Sequence, residues 1–161
     1  MKEELGNKNL FSVSLHPVCY KISKEAIEAV DFISLQCYGP SPVRFPIEKY
    51  CSDIQMVLEY GIPKEKLVAG VPFYGVTKDN SKKTEAYFNF VQNGLVTSPA
   101  QNEVIYKGDT YVFDGQDNIR IKTRYAKEQK LKGMMSWDLA TDLPLSDSRS
   151  LLKTMTEELR E

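Results

Sequence analysis

The chain is 161 residues long, the size of one ordinary domain and enough to bury a core. Its 21 Lys and Arg against 22 Asp and Glu give a formal net charge of -1, and no basic run is interleaved with aromatics, so nucleic acid is not an expected partner. No apolar run is long enough to span a bilayer and Met1–Leu5 lacks the hydrophobic segment of a secretory signal, so no membrane association is expected.

In chain order, Leu10-Phe11-Ser12-Val13-Ser14-Leu15 alternates and stops at His16-Pro17, predicting a first strand. Ser23 is placed to cap a short helix through Ala29. Residues 30–38 read as a second, buried strand ended by Gly39-Pro40-Ser41-Pro42. Pro46 opens a helix to Tyr60, with Tyr50, Ile54, Val57 and Leu58 at helical spacing and Gly61 as the stop. A third strand over 66–71 exits through Pro72-Phe73-Tyr74-Gly75 into a long loop to about Lys83, and a short helix covers 84–92. VIYKGDTYVFDG, alternating about Lys107-Gly108-Asp109, carries the signature of a hairpin over 103–114. Residues 117–131 make a helix presenting Ile121, Tyr125 and Leu131 on one side. A strand around Met134-Met135 follows, and Ser146 or Ser148 caps a last helix over 151–159, whose Glu157-Glu158 reads as a solvated face.

Strands alternating with helices imply four parallel βα units, with the hairpin inserted between the third strand and its helix. A (β/α)8 barrel typically takes about 250 residues. The α/β chain is therefore either an open four-stranded sheet or half of a barrel, in one domain over 1–161 with order expected from about 10 to 160.

Chemistry concentrates at strand ends. In Lys132–Pro144, KGMMSWDLATDLP, the only tryptophan, Trp137, closes a short apolar strand, at the carboxyl end where barrels place their sites. Tyr38 after FISLQC and Phe73-Tyr74 after LVAGVP hold the same position. Such aromatics suit a flat, partly apolar ligand such as a sugar ring; ordinary core packing is the competing reading. Cys19, Cys37 and Cys51 have neither CxxC nor Cys/His metal spacing and are expected as buried free thiols. The single His16 cannot build a metal cluster or a triad alone, so neither a metal nor a cofactor is expected.

DFISLQCYG, LVAGVPFYG and GMMSWDLATDLP, in this order and spacing, resemble the sixth, seventh and eighth strand ends of family-18 glycoside hydrolases, the chitinases and endo-N-acetylglucosaminidases. LFSVSLHP is similar to their fifth strand, and TYVFDGQDNIRIKTRYA to the segment leading into their seventh helix. The resemblance covers most of residues 10–159 and implies the carboxyl-terminal half of a TIM barrel. It further implies hydrolysis of N-acetylglucosamine-containing glycans, with the substrate's own acetamido oxygen attacking the anomeric carbon. The family's DxxDxDxE motif, whose glutamate is the general acid, has no counterpart in these residues. Without it the site is expected to bind and orient but hardly to cleave. The family also suggests a secreted, periplasmic or cell-surface setting.

By the resemblance, Tyr38 orients the acetamido group and Gln36, two residues earlier on the same strand face, offers an amide to it. Trp137 floors the cleft under the sugar whose bond is broken, and Asp138 and Tyr74 are rim candidates. Each has an alternative as a core, interior or capping residue. Relatives often carry Asp and Arg where this chain has Gly39 and Val76, which leaves linkage specificity open. Three functions compete: part of a hydrolase, a carbohydrate-binding protein without turnover, or a fragment with no function alone. Half a barrel would leave strand edges and one sheet face bare. Either two copies associate, or the loop and hairpin fold over that face.

Overall fold

The computed structural model of the chain describes residues 4, 6 and 8–160. The expected absence of a leader in Met1–Leu5 falls, apart from Glu4, outside them. Strands β1 (Ser12–Leu15), β2 (Phe32–Leu35) and β3 (Leu67–Pro72) are joined by helices α1 (Lys24–Ala29) and α2 (Ile47–Tyr60). The fold is α/β and corresponds to part of a TIM barrel. Ser23 caps α1 by accepting from the Ala26 N–H at 3.2 Å. Gly61 ends α2 at φ 108°, a left-handed conformation that favours glycine.

The stretch read as a loop after β3 instead holds β4 (Tyr74–Thr77), and the segment predicted as helix over 84–92 opens with β5 (Thr84–Ala86). Only Tyr87–Gln92, α3, is helical in the segment predicted as helix over 84–92. The hairpin is present as β6 (Glu103–Tyr106) and β7 (Asp109–Val112), and it does not stand alone. Pairing of β4 with β5 and with β7 makes a four-stranded antiparallel sheet in the order β5-β4-β7-β6. Its aromatic core joins Phe90 to Tyr106, Tyr111 and Phe113.

Helix α4 (Gln116–Glu128) leads back to β8 (Gly133–Trp137), and α5 (Leu151–Arg160) closes the chain. The first sheet is wholly parallel, in the order β1-β2-β3-β8, with Leu15 beside Leu35, Ala69 beside Met134 and Pro72 beside Trp137. Its helix side is sealed: Ile33, Leu35, Leu67, Ala69 and Val71 are fully buried.

Several predictions fail for reasons of pairing. In α4 the buried positions are Gln116, Ile119, Lys122, Thr123 and Ala126, while Ile121 is exposed. Lys122 enters the core because its ammonium donates to Asp114 at 2.6 Å and to the Phe45 carbonyl at 2.8 Å. Glu158 is likewise buried, gripped by the Arg124 guanidinium at 2.8 and 3.1 Å, and only Glu157 is solvated. The cap of α5 is neither Ser146 nor Ser148. Ser150 Oγ accepts from the Lys153 N–H at 3.2 Å, and the Asp142 carboxylate accepts from the Leu151 and Leu152 N–H groups at 3.0 and 2.8 Å. Among the thiols Cys37 is buried, Cys51 half-buried and Cys19 exposed.

Candidate functional site

The carboxyl ends of the four parallel strands meet in one cleft. Alternation places Gln36 and Tyr38 on the sheet side that carries no helix, in line with Phe32 and Ser34. Opposite them, Trp137 ends β8 in register with Pro72 and accepts a hydrogen bond from the Phe73 N–H at 2.8 Å. The indole is 54% exposed. A cavity of about 310 Å³ is lined by His16, Gln36, Tyr38, Gly39, Pro40, Tyr74 and Trp137. A second, of about 290 Å³, shares Pro40, Tyr74 and Trp137 and adds Thr84, Glu85, Ala86, Asp138 and Thr141. With three walls in common, the two form one cleft with a neutral and an acidic compartment. Gln36, Tyr38, Tyr74 and Trp137 thus come together in the first compartment, and Asp138 lies in the adjoining one.

Tyr38 is nearly buried and donates its hydroxyl to Met135 Sδ at 3.7 Å. A thioether is a weak acceptor, so this hydroxyl is readily redirected to a better one. Its ring stands edge-on to Tyr74, with centroids 6.5 Å apart, and Tyr74 in turn stands edge-on to Phe45 at 6.4 Å. Burial pushes the Tyr38 phenol up to about 12, with a smaller contribution from Cys37. Tyr74 is pushed to about 12 by burial first and then by Tyr38 and Asp114. Both are therefore neutral donors at any ordinary pH. The Gln36 amide donates to Ser14 Oγ at 2.9 Å, which holds it along β1. Asp138 Oδ1 is buried and has no hydrogen-bond partner among the described residues.

The family model described as Glycosyl hydrolases family 18 matches residues 2–142. The chain belongs to that family. It is similar to a chitinase from the chitin utilization locus of Flavobacterium johnsoniae, with a TM-score of 0.78 and 27% identity, covering 98% of this chain and 52% of that one. A plant class V chitinase mutant from Cycas revoluta, in complex with (GlcNAc)3, gives 0.74 at 17% identity over 98% of this chain and 59% of its own. The chitinase-like agglutinin of Robinia pseudoacacia gives 0.74 at 17% identity over 97% and 58%. The chain thus spans little more than half the length of these solved structures. No curated protein sequence matches it.

Two features of this family-18 cleft escaped the sequence. The His16 Nδ1 accepts from the Val18 N–H at 3.3 Å, and its Nε2, 3.1 Å from the Tyr38 carbonyl, donates to that oxygen. His16 continues the β1 alternation of Ser12 and Ser14, and that parity was the available signal. Glu85 had none, because its short strand is defined only by antiparallel pairing with β4, where Glu85 sits opposite Gly75. A Cβ at Gly39 would lie 3.6 Å from His16 Nε2 and 3.9 Å from Arg44 Cγ, both ordinary contacts, so the position has room for a Cβ. Among the described residues no three His, Cys, Asp or Glu side chains group as a metal site, and no helix is long and apolar enough to cross a membrane.

Proposed function

We propose that the chain is the carboxyl-terminal part of a chitinase-like glycoside hydrolase acting on N-acetylglucosamine-containing glycans by substrate-assisted, retaining hydrolysis. It is one partial-barrel domain over 1–161 that binds glycan but does not cleave it alone. The observation that carries this reading is the single cavity lined by Gln36, Tyr38, Tyr74 and Trp137 from three strand ends. The exposed indole takes the C–H face of the sugar, where an aromatic ring loses little hydration. Tyr38 turns its hydroxyl from Met135 to the acetamido oxygen and holds it toward the anomeric carbon, with Gln36 beside the same group. Asp138 and Tyr74 form the rim.

Because the acetamido oxygen is the nucleophile, the protein needs none, but the leaving oxygen must still be protonated. General acid catalysis contributes about 10²–10⁴-fold, and no DxxDxDxE motif is present among the 161 residues. The second reading, a carbohydrate-binding protein without turnover, is favoured by that same lack and by the likeness to an agglutinin. The open side of the sheet holds a further concavity of about 400 Å³ lined by Phe32, Val68 and Met135 among others, which supports association of two copies across it.

Calorimetric titration with N-acetylglucosamine tetramer tests the site. Binding is expected, weakened about tenfold or more in Trp137→Ala, with no product released by the wild-type chain. Lack of binding, or cleavage, would sink the reading. A well-folded monomer by sedimentation at micromolar concentration would remove the paired copies.

A further inference from the structure

We infer that the acidic compartment takes a deacetylated, cationic glucosamine unit beside the acetylated sugar, so that the preferred ligand is a partially deacetylated oligosaccharide. The inference rests on the glycan reading above and adds the chemistry of the second sugar. The two compartments share the walls Tyr74 and Trp137, so neighbouring units of one glycan occupy both. Their remaining walls differ in charge. The first has no carboxylate in its lining, whereas Glu85 and Asp138 bring two carboxylates to the second, with no Lys or Arg beside them in its lining.

The carboxylates are not saturated. Asp138 Oδ1 is buried with no partner among the described residues, and an acceptor in that state is destabilising until a donor arrives. Glu85 Oε1 is occupied by the Ala86 N–H at 3.0 Å and the Asn89 amide at 2.6 Å. Its Oε2 meets Lys107 only at 3.8 Å. That ammonium is 70% exposed and lies over the Tyr106 ring at 4.6 Å, so the pair is a weak, solvent-screened one. By contrast Asp142, four residues after Asp138, is fully used in capping α5.

A sugar ammonium supplies three donors and a charge, and charge-assisted hydrogen bonds are about twice as strong as neutral ones. An acetamido group in the same place offers one neutral N–H and sets a methyl near the carboxylates. The first compartment has the opposite preference: Tyr38 and Gln36 donate to an acetamido oxygen, and no carboxylate in its lining offers a charge to a cation.

The test compares, by calorimetry on the 161-residue chain, N-acetylglucosamine tetramer with its four monodeacetylated isomers. At least one isomer is expected to bind about five- to tenfold tighter than the fully acetylated tetramer, with the advantage shrinking at high salt. In the Glu85→Gln/Asp138→Asn double variant the ratio falls to about one. In Lys107→Ala, which removes the cation beside Glu85, it widens. A fully acetylated tetramer that binds as tightly as every isomer overturns the inference and leaves the glycan reading standing. A preference that survives the double variant also overturns it. If no tetramer binds, the glycan reading fails and takes the inference with it.

Discussion

On the helix side of the parallel sheet Ile33, Leu35, Leu67, Ala69 and Val71 are fully buried, whereas on the other side Phe32, Ser34, Gln36, Val68 and Met135 of the same strands stay partly exposed. A strand buried on both faces reads as a continuous apolar run. Here β2 and its extension alternate instead, as FISLQ. The two consecutive methionines of β8 make the same contrast: Met134 accepts from Tyr50 at 3.4 Å on the sealed side, and Met135 from Tyr38 at 3.7 Å on the open one. Stability therefore comes from one face, which leaves the other free for closure and, at its top, for a ligand.

The largest effect is expected where the sealed side holds charge. Lys122 and Asp114 are both completely buried, and the ammonium also lies 5.4 Å from the Tyr50 ring centroid. Asp114→Ala leaves that cation without its counter-charge, a change that costs about 3–5 kcal/mol. Urea unfolding followed by circular dichroism measures it. A loss under about 1 kcal/mol would mean that water reaches Lys122 and that the sealed side is not sealed.

The next effect compares neighbouring residues on opposite faces. Leu35→Ala should cost about 2–5 kcal/mol at every protein concentration, because its cavity opens inside a finished core. Phe32→Ala should cost less than Leu35→Ala in dilute solution. Its cost should grow with concentration if a second copy covers it, since association adds stability by mass action. Equal, concentration-independent losses at the two positions would erase the distinction between the faces.

What the sequence made legible follows the same division. Strand alternation and helix spacing gave the parallel sheet, α2 and the caps at Ser23 and Gly61, because those signals are local. Strands β4 and β5 were hidden because Val76 finds its partner at Val112, far along the chain. The face of α4 was misjudged because an apolar count favours Ile121, while the buried lysine makes sense only beside Asp114. Glu158 was hidden in the same way by Arg124. The meeting of Gln36, Tyr38, Tyr74 and Trp137 at one cavity was readable from strand-end position and family motif together. Glu85 was not, since it reaches the cleft from a strand whose existence depends on long-range pairing.

The smallest effect concerns the seam between the faces and appears only in alkali. A tyrosine normally ionises near 10, but burial holds Tyr38 at about 12 on the open side and Tyr50 well above its ordinary value on the sealed side. The folded chain thus keeps these phenols protonated while the unfolded chain releases their protons first. Stability is complete below about pH 10 and declines as pH rises through 10 toward 12, because unfolding then liberates protons. Replacing either phenol with phenylalanine removes its share of that decline. Tyr50→Phe should flatten the pH dependence of the unfolding midpoint more than Tyr38→Phe, since its ring is fully buried and its phenol is surrounded by Cys37, Cys51 and Asp114. A Tyr38→Phe curve identical to that of the wild type would mean that the upper rim of the cleft is as wet as the rest of the open face. Tyr38 would then have to hold the proposed acetamido group without help from a dry setting.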